Sequence, residues 1–164
     1  MIFFFDEGRF GLRATVMRVW AEKGKRLEVK VKQGYESFYC YSAVSPVSGE
    51  KFSLFLPEVN TEMMNLYLEK LSKEYFDSNL LVIMDRAGWH RSNDLIIPKN
   101  VKITFLPPYS PELNPVEKLW QWLRKEFIHN NLFSTLEKLM DKLSMGYRKL
   151  TNTDLLRLCH YNYL

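Results

Sequence analysis

Five consecutive apolar residues, Leu80-Leu-Val-Ile-Met84, running directly into Asp85, restrict the fold of this chain more than any other feature. A strand without polar alternation needs cover on both faces, and it finds that cover inside a sheet flanked by helices. The segments on either side supply what such a strand requires. Upstream, Ile2 to Phe5 is a short apolar run ending at Asp6, Leu12 to Trp20 alternates loosely, and Leu27 to Lys32 alternates strictly. Ser37 to Val44 and Lys51 to Leu56 are rich in aromatic and β-branched residues, and Pro46-Val-Ser-Gly49 between them reads as a hairpin turn. Successive strands with short connections predict an antiparallel meander.

Helical spacing takes over at Asn60 or Thr61. Met64, Tyr67, Leu68, Leu71 and Tyr75 recur on one face as far as about Phe76. After the central run, Val101 to Leu106 is a further short strand, and Pro107-Pro-Tyr-Ser-Pro-Glu-Leu-Asn114 is a stiff connector. The next helix opens with Pro115 and buries Val116, Leu119, Trp120, Leu123 and Phe127. Another is expected from Ser134, with Ser134 and Glu137 as a capping box, and a short one from Asp154 to Tyr161. A meander followed by alternating helix and strand predicts one α/β domain over residues 1–164. Its mixed central sheet has antiparallel strands first, then parallel ones, and helices on both faces.

The hydrophobic fraction of 46% excludes a disordered chain, and a net charge of +4 is compatible with a polyanionic partner. No stretch approaches the roughly 20 apolar residues of a membrane span. Cys40 and Cys159 match no zinc spacing and read as buried free thiols of a reducing cytoplasm.

Three carboxylates could carry chemistry. Asp6 and Asp85 each end an apolar run, where an acid is costly to desolvate unless a counter-charge compensates. Adjacent strands would bring the two together, and a divalent cation would relieve their repulsion. The alternative is that each merely begins a turn. Glu117 falls at the third position of a helix whose cap is Asn114, so on spacing alone a capping box and a metal ligand are equally served. His90 could be a ligand, a proton shuttle, a DNA contact or a packed surface histidine. Lys118, Arg124 and Lys125 could meet phosphates or simply be solvated. Trp122, off the main apolar stripe, is the tryptophan best suited to stack on a base, although such residues are more often core.

Four motifs in order sharpen this: Asp6-Glu-Gly-Arg-Phe-Gly-Leu12, Trp20-Ala-Glu-Lys-Gly24, Val82-Ile-Met-Asp-Arg-Ala-Gly-Trp-His90, and Leu106-Pro-Pro-Tyr-Ser-Pro-Glu-Leu-Asn-Pro-Val-Glu-Lys-Leu-Trp120. Together they resemble the catalytic domain of bacterial insertion-sequence transposases of the mariner superfamily. The resemblance implies a ribonuclease H-like fold and an acidic triad of Asp6, Asp85 and Glu117 holding Mg²⁺ or Mn²⁺, with two ions expected. Such an enzyme would cut double-stranded DNA at transposon ends and join the 3′-hydroxyl to a target, as a homodimer at the bacterial nucleoid. The carboxylate-rich, thiol-poor triad suits hard cations. Arg86, beside Asp85, departs from the small or polar residue usual there; it could hold a phosphate or compete with metal. Relatives carry helix-turn-helix modules before this domain, and this sequence starts at the domain itself. A different ribonuclease H-like nuclease, or a regulatory remnant that binds without cutting, stands as an alternative.

Overall fold

The computed structural model describes residues 1–12, 36–129 and 131–160. The strands read at 12–20 and 27–32, and the Trp20 motif, therefore lie outside the described residues, apart from Leu12 itself.

Five strands form one sheet: β1 (Ile2–Gly11), β2 (Ser37–Val44), β3 (Lys51–Leu56), β4 (Leu80–Met84) and β5 (Val101–Phe105). Their spatial order is β3-β2-β1-β4-β5. The first three pair antiparallel, whereas β4 runs parallel to β1 and β5 parallel to β4. This is the meander joined to a parallel half that the alternation of segments predicted. The turn at Pro46 to Gly49 closes as expected, with Gly49 at φ +75° donating to the Ser45 carbonyl.

Helices cover both faces. Helix α1 (Thr61–Glu74) begins at Asn60, whose side chain accepts from the Met63 N–H at 2.8 Å. Its Met64, Tyr67, Leu68 and Leu71 pack on Phe3, Phe5, Tyr41, Val82 and Met84. The opposite face carries α2 (Val116–Leu123), α3 (Leu136–Lys149) and α4 (Asn152–Leu158). Here Leu119, Trp120 and Leu123 of α2 meet Phe4, Phe10 and Phe38 from the sheet. Each such fully buried large side chain contributes roughly 2–3 kcal/mol through removal from water. A polar pin joins sheet and helix: Ser53 donates to Ser42 at 2.7 Å, and Ser42 shares a 2.9 Å hydrogen bond with Tyr147 of α3.

Several boundaries differ from the sequence reading, each for a local reason. Strand β1 does not stop at Asp6 but continues to Gly11, because β2 pairs with it along that whole length. The cap of α3 is Thr135, extended at φ −142° and accepting from the Lys138 N–H, so a single cap one residue later replaces the expected Ser134–Glu137 box. Helix α4 starts earlier than Asp154, since Thr151 and Asp154 form the capping box and Asp154 is its third residue. Tyr161, its expected end, lies outside the described residues. Beyond Leu123 the α2 helix widens into a π-helical turn, Arg124–Ile128. Cys40 and Cys159 are free and buried, as expected, and burial pushes both thiols up to about 12. Among the described residues no helix is long and apolar enough to cross a membrane.

Candidate active site

The site forms where β1 and β4 part company. Their parallel pairing ends with Phe4 opposite Ile83. Two residues beyond that pair stand Asp6, still within β1, and Asp85, just past the end of β4, so both acids lie at the same level of the sheet. Beyond Met84 the ladder passes to β5, with Leu106 N–H donating to the Met84 carbonyl at 2.8 Å. The Pro-rich connector then crosses this edge and delivers α2. A cleft of about 430 Å³ opens there, and Asp6, Asp85 and Glu117 all line it, with Arg86, Asn114 and the Pro107–Pro111 loop completing its walls.

Asp6 and Glu7 are consecutive on a strand and therefore point to opposite faces. Asp6 shares the face of Gly8 and Phe10 and accepts a 2.8 Å hydrogen bond from the Trp120 indole N–H. A methyl group on Gly8 would come within 3.0 Å of that indole, so glycine leaves room for the ring that holds Asp6. Burial lifts the Asp6 carboxyl to about 7; the Trp120 bond opposes this, while the Glu7 and Glu117 charges add to it. Desolvation thus leaves this acid ready to take up a proton near neutral pH.

Glu7 turns the other way and meets His90. The His90 ring is buried and bridges two acids, its Nε2 2.9 Å from Glu7 and its Nδ1 2.8 Å from Asp85. The Trp89 indole also donates to Glu7, at 3.1 Å. Burial alone would depress the imidazole, but the hydrogen bonds and charges of Asp85 and Glu7 prevail and raise it to about 9. The same bond, assisted by the Ala87 N–H, holds Asp85 below the usual carboxylate range against partial burial.

Glu117 is freed from the competing role. The helix begins at Val116 with Pro115 in the cap position and no side-chain cap, so the expected Asn114 cap is not formed. The Asn114 side chain instead accepts from Val116 N–H two residues on at 3.2 Å, and its amide donates 3.0 Å to the Phe5 carbonyl beside Asp6. The reciprocal half of a capping box is not formed either, because the Asn114 N–H is bound by the Pro111 carbonyl at 2.9 Å. Glu117 therefore turns its carboxylate to the cleft while Asn114 lashes the start of its helix to β1.

Of the residues read as DNA contacts, Arg86 alone lines the cleft. His90 is buried behind it. The Lys118 ammonium lies 2.6 Å from the His160 carbonyl, Arg124 sits over the Phe10 ring, and Trp122 packs edge-on against Phe127. Lys125 is exposed on the π-helical turn. Sequence reasoning missed Glu7, Trp120 as the partner of Asp6, and the Asn114 amide. The first had a signal: two adjacent acids on one strand must serve opposite faces.

Among the described residues no three acids, histidines or cysteines are gathered closely enough to close around one ion as they stand. In donor type the cleft nevertheless fits a hard divalent cation. It presents three carboxylates, the donor type such ions prefer.

These shifts fix a pH dependence. His90 and Asp6 both have folded values above their ordinary ones. Their contributions are complete below 6.5 and 3.8 and are lost as pH rises through about 9 and about 7, respectively. Asp85, shifted down, contributes above 3.8 and loses that contribution in acid. Scanning calorimetry in chelator should give a melting temperature roughly 5–10 °C lower at pH 9 than at pH 6. A flat or rising profile over that window would contradict the bridged geometry.

Comparison with known proteins agrees with this architecture. The family model described as DDE superfamily endonuclease matches residues 1–140. The chain is 36% identical over 115 residues to the uncharacterized protein y4pE/y4sA of Sinorhizobium fredii, spanning 70% of this chain and 85% of that one. It is 24% identical over 147 residues to the uncharacterized 39 kDa protein of insertion element IS630 from Shigella sonnei, covering 87% of this chain but 43% of that protein. Among solved structures, the Mos1 transposase paired-end complex with left transposon end superimposes with a TM-score of 0.74 at 14% identity, over 97% of this chain and 51% of the other. The Mos1 mariner paired-end complex with Mn superimposes at 0.73, again over 97% of this chain and 51% of the other, at 14% identity. The fold is ribonuclease H-like, and the chain spans about half the length of the Mos1 proteins it matches.

Proposed function

The chain belongs to the DDE superfamily of endonucleases, and from that premise we propose that it is a transposase catalytic domain cutting phosphodiesters at transposon ends and joining the 3′-hydroxyl to target DNA. The observation that carries the reading is the arrival of Asp6, Asp85 and Glu117 at one cleft from β1, β4 and α2. Separate elements converge there on three acids.

Asp6 and Asp85 would hold divalent metal between the diverging strands, and Glu117 would complete the set from the helix. Bound Mg²⁺ or Mn²⁺ would supply the positive charge that activates an attacking oxygen and stabilises a leaving one. The chain's own residues do the positioning. Trp120 keeps one Asp6 oxygen fixed and leaves the other for the cleft. His90 sets the orientation of Asp85 and is itself braced by Glu7. Asn114 fixes the angle at which α2 presents Glu117. Arg86, exposed on the rim, is suited to a phosphate of the bound strand. The Mos1 structures are paired-end complexes, one of them with Mn. This supports DNA ends as substrate and divalent metal as cofactor; action as a homodimer is part of the same proposal.

The test is strand nicking of DNA carrying the element's ends, with Mg²⁺ or Mn²⁺. Wild-type chain should nick only when metal is present, and Asp85→Asn should lose the activity. Undiminished nicking by Asp85→Asn would remove the assignment.

A further inference from the structure

Tyr109 has no exposed neighbour of comparable character. Its side chain is fully solvent-exposed, and its φ of +57° makes it the single non-glycine in the left-handed region among the described residues. A bulky residue there costs on the order of 1–2 kcal/mol relative to glycine. Phe76 and Ile96 are also exposed, at 73% and 70%, but neither is strained and neither lines the cleft, so they need no explanation.

The loop that bears Tyr109 is held rigidly. Leu106 is bonded to the end of β4, Asn114 is tied to β1, and Pro107, Pro108 and Pro111 restrict the backbone between them. Ser110 Oγ donates to the Pro108 carbonyl at 3.2 Å, and Leu113 N–H to the Ser110 carbonyl at 3.1 Å. The exposed ring therefore belongs to the lining of the cleft that contains Asp6, Asp85 and Glu117, together with the exposed Arg86. Among the described residues no hydrogen bond or ring contact is made by the Tyr109 side chain.

We propose that Tyr109 is a stacking platform for an unpaired nucleobase next to the phosphate held at the three carboxylates. The proposal rests on the nucleic-acid reading of this cleft and specifies its substrate further. An aromatic face beside a phosphate site is the recurring arrangement for binding single-stranded nucleic acid, and it is indifferent to which base is presented. Inside a duplex both faces of a base are covered by its neighbours. A tyrosine ring can stack only on a base at a strand end or on one turned out of the helix. The cleft would then favour DNA whose strands are already separated at the reacting phosphate.

The test uses two duplexes with 2-aminopurine at the same position, unpaired next to a recessed end in one and fully paired in the other, titrated with the chain in Mg²⁺. Wild type and Tyr109→Phe should bind the unpaired form more tightly and quench its fluorescence, since stacking does not need the hydroxyl. Tyr109→Gly should bind that form roughly tenfold more weakly and lose the quench, while affinity for the paired duplex changes less than twofold. Its melting temperature should not fall, because glycine relieves the left-handed strain; this separates loss of stacking from loss of fold. Retention of the quench and of the preference by Tyr109→Gly would overturn the proposal alone. Binding of neither duplex by wild type would overturn the function proposed for the cleft, and this inference with it.

Discussion

Asp6→Asn should melt higher than the unsubstituted chain at pH 8 in chelator, by roughly 5 °C, and yet lose metal-dependent cleavage by about a thousandfold or more. Both effects follow from one carboxylate. Above its raised value of about 7, Asp6 is an anion kept partly from water and close to the Glu7 and Glu117 charges. Full conversion of that shift would give roughly 4 kcal/mol. Cleft water screens part of it, so a gain of about 2 kcal/mol on neutralisation is expected, near 5 °C for a domain of this size. The asparagine oxygen can still accept from the Trp120 indole, so the local structure has no reason to collapse. What disappears is a charge that metal requires, worth several kcal/mol in a transition state and hence a thousandfold in rate. Thermal melts and nicking rates on the same preparations check both halves. A variant that melts lower, or that cuts normally, would contradict the role given to Asp6.

Removal of His90 should act in the opposite sense. The Glu7 side chain is 6% exposed and that of His90 1%, so His90→Ala leaves a buried carboxylate with only the Trp89 indole for company. Breaking a buried charge pair by deleting one member costs about 3–5 kcal/mol, or about 10 °C or more here. Glu7→Gln should cost less, since a neutral amide oxygen can still accept from Trp89 and from the ring. The double variant should be more stable than the sum of the single losses allows, because each removes the other's reason for strain. Denaturant melts of the four proteins measure this coupling. Strict additivity would show that the two side chains do not depend on each other. His90→Ala should also flatten the fall in stability between pH 6 and pH 9.

The sheet was legible because its strands carry their burial in their sequence. Leu80 to Met84 could only be interior, and the aromatic and β-branched segments 37–44 and 51–56 around Pro46 to Gly49 read as a hairpin. The core positions of α1 as far as Leu71 and of α2 as far as Leu123 followed from spacing. Tyr75 and Phe127, however, are only partly buried, and the π-helical turn puts Ile128 in the core instead of Phe127. Boundaries were less legible where a partner decides them. Nothing in Asp6-Glu-Gly-Arg announces that β2 will hold β1 together to Gly11, and Thr135 outcompetes Ser134 as a cap only through its backbone angles. Within the site, Asp6 and Asp85 were visible as acids at the ends of apolar runs, and the motifs named Glu117. The contest between cap and ligand at Glu117 was not decidable by spacing, because it turns on which acceptor the Asn114 N–H finds. The roles of Glu7 and Tyr109 were missed for different reasons. One depends on a contact 83 residues away in sequence; the other depends on a backbone angle and on having no contact at all.

The central claim is that three carboxylates from separate elements form one metal-binding set. Titration of Mn²⁺ into the chain, followed by the loss of its free-ion electron paramagnetic resonance signal, tests this most directly. Wild type should bind with an affinity that strengthens from pH 6 to pH 8 as Asp6 gives up its proton. Asp6→Asn, Asp85→Asn and Glu117→Gln should each weaken binding by about tenfold or more. Binding by Glu117→Gln that is indistinguishable from wild type, or no binding by wild type at any pH in that range, would contradict the account.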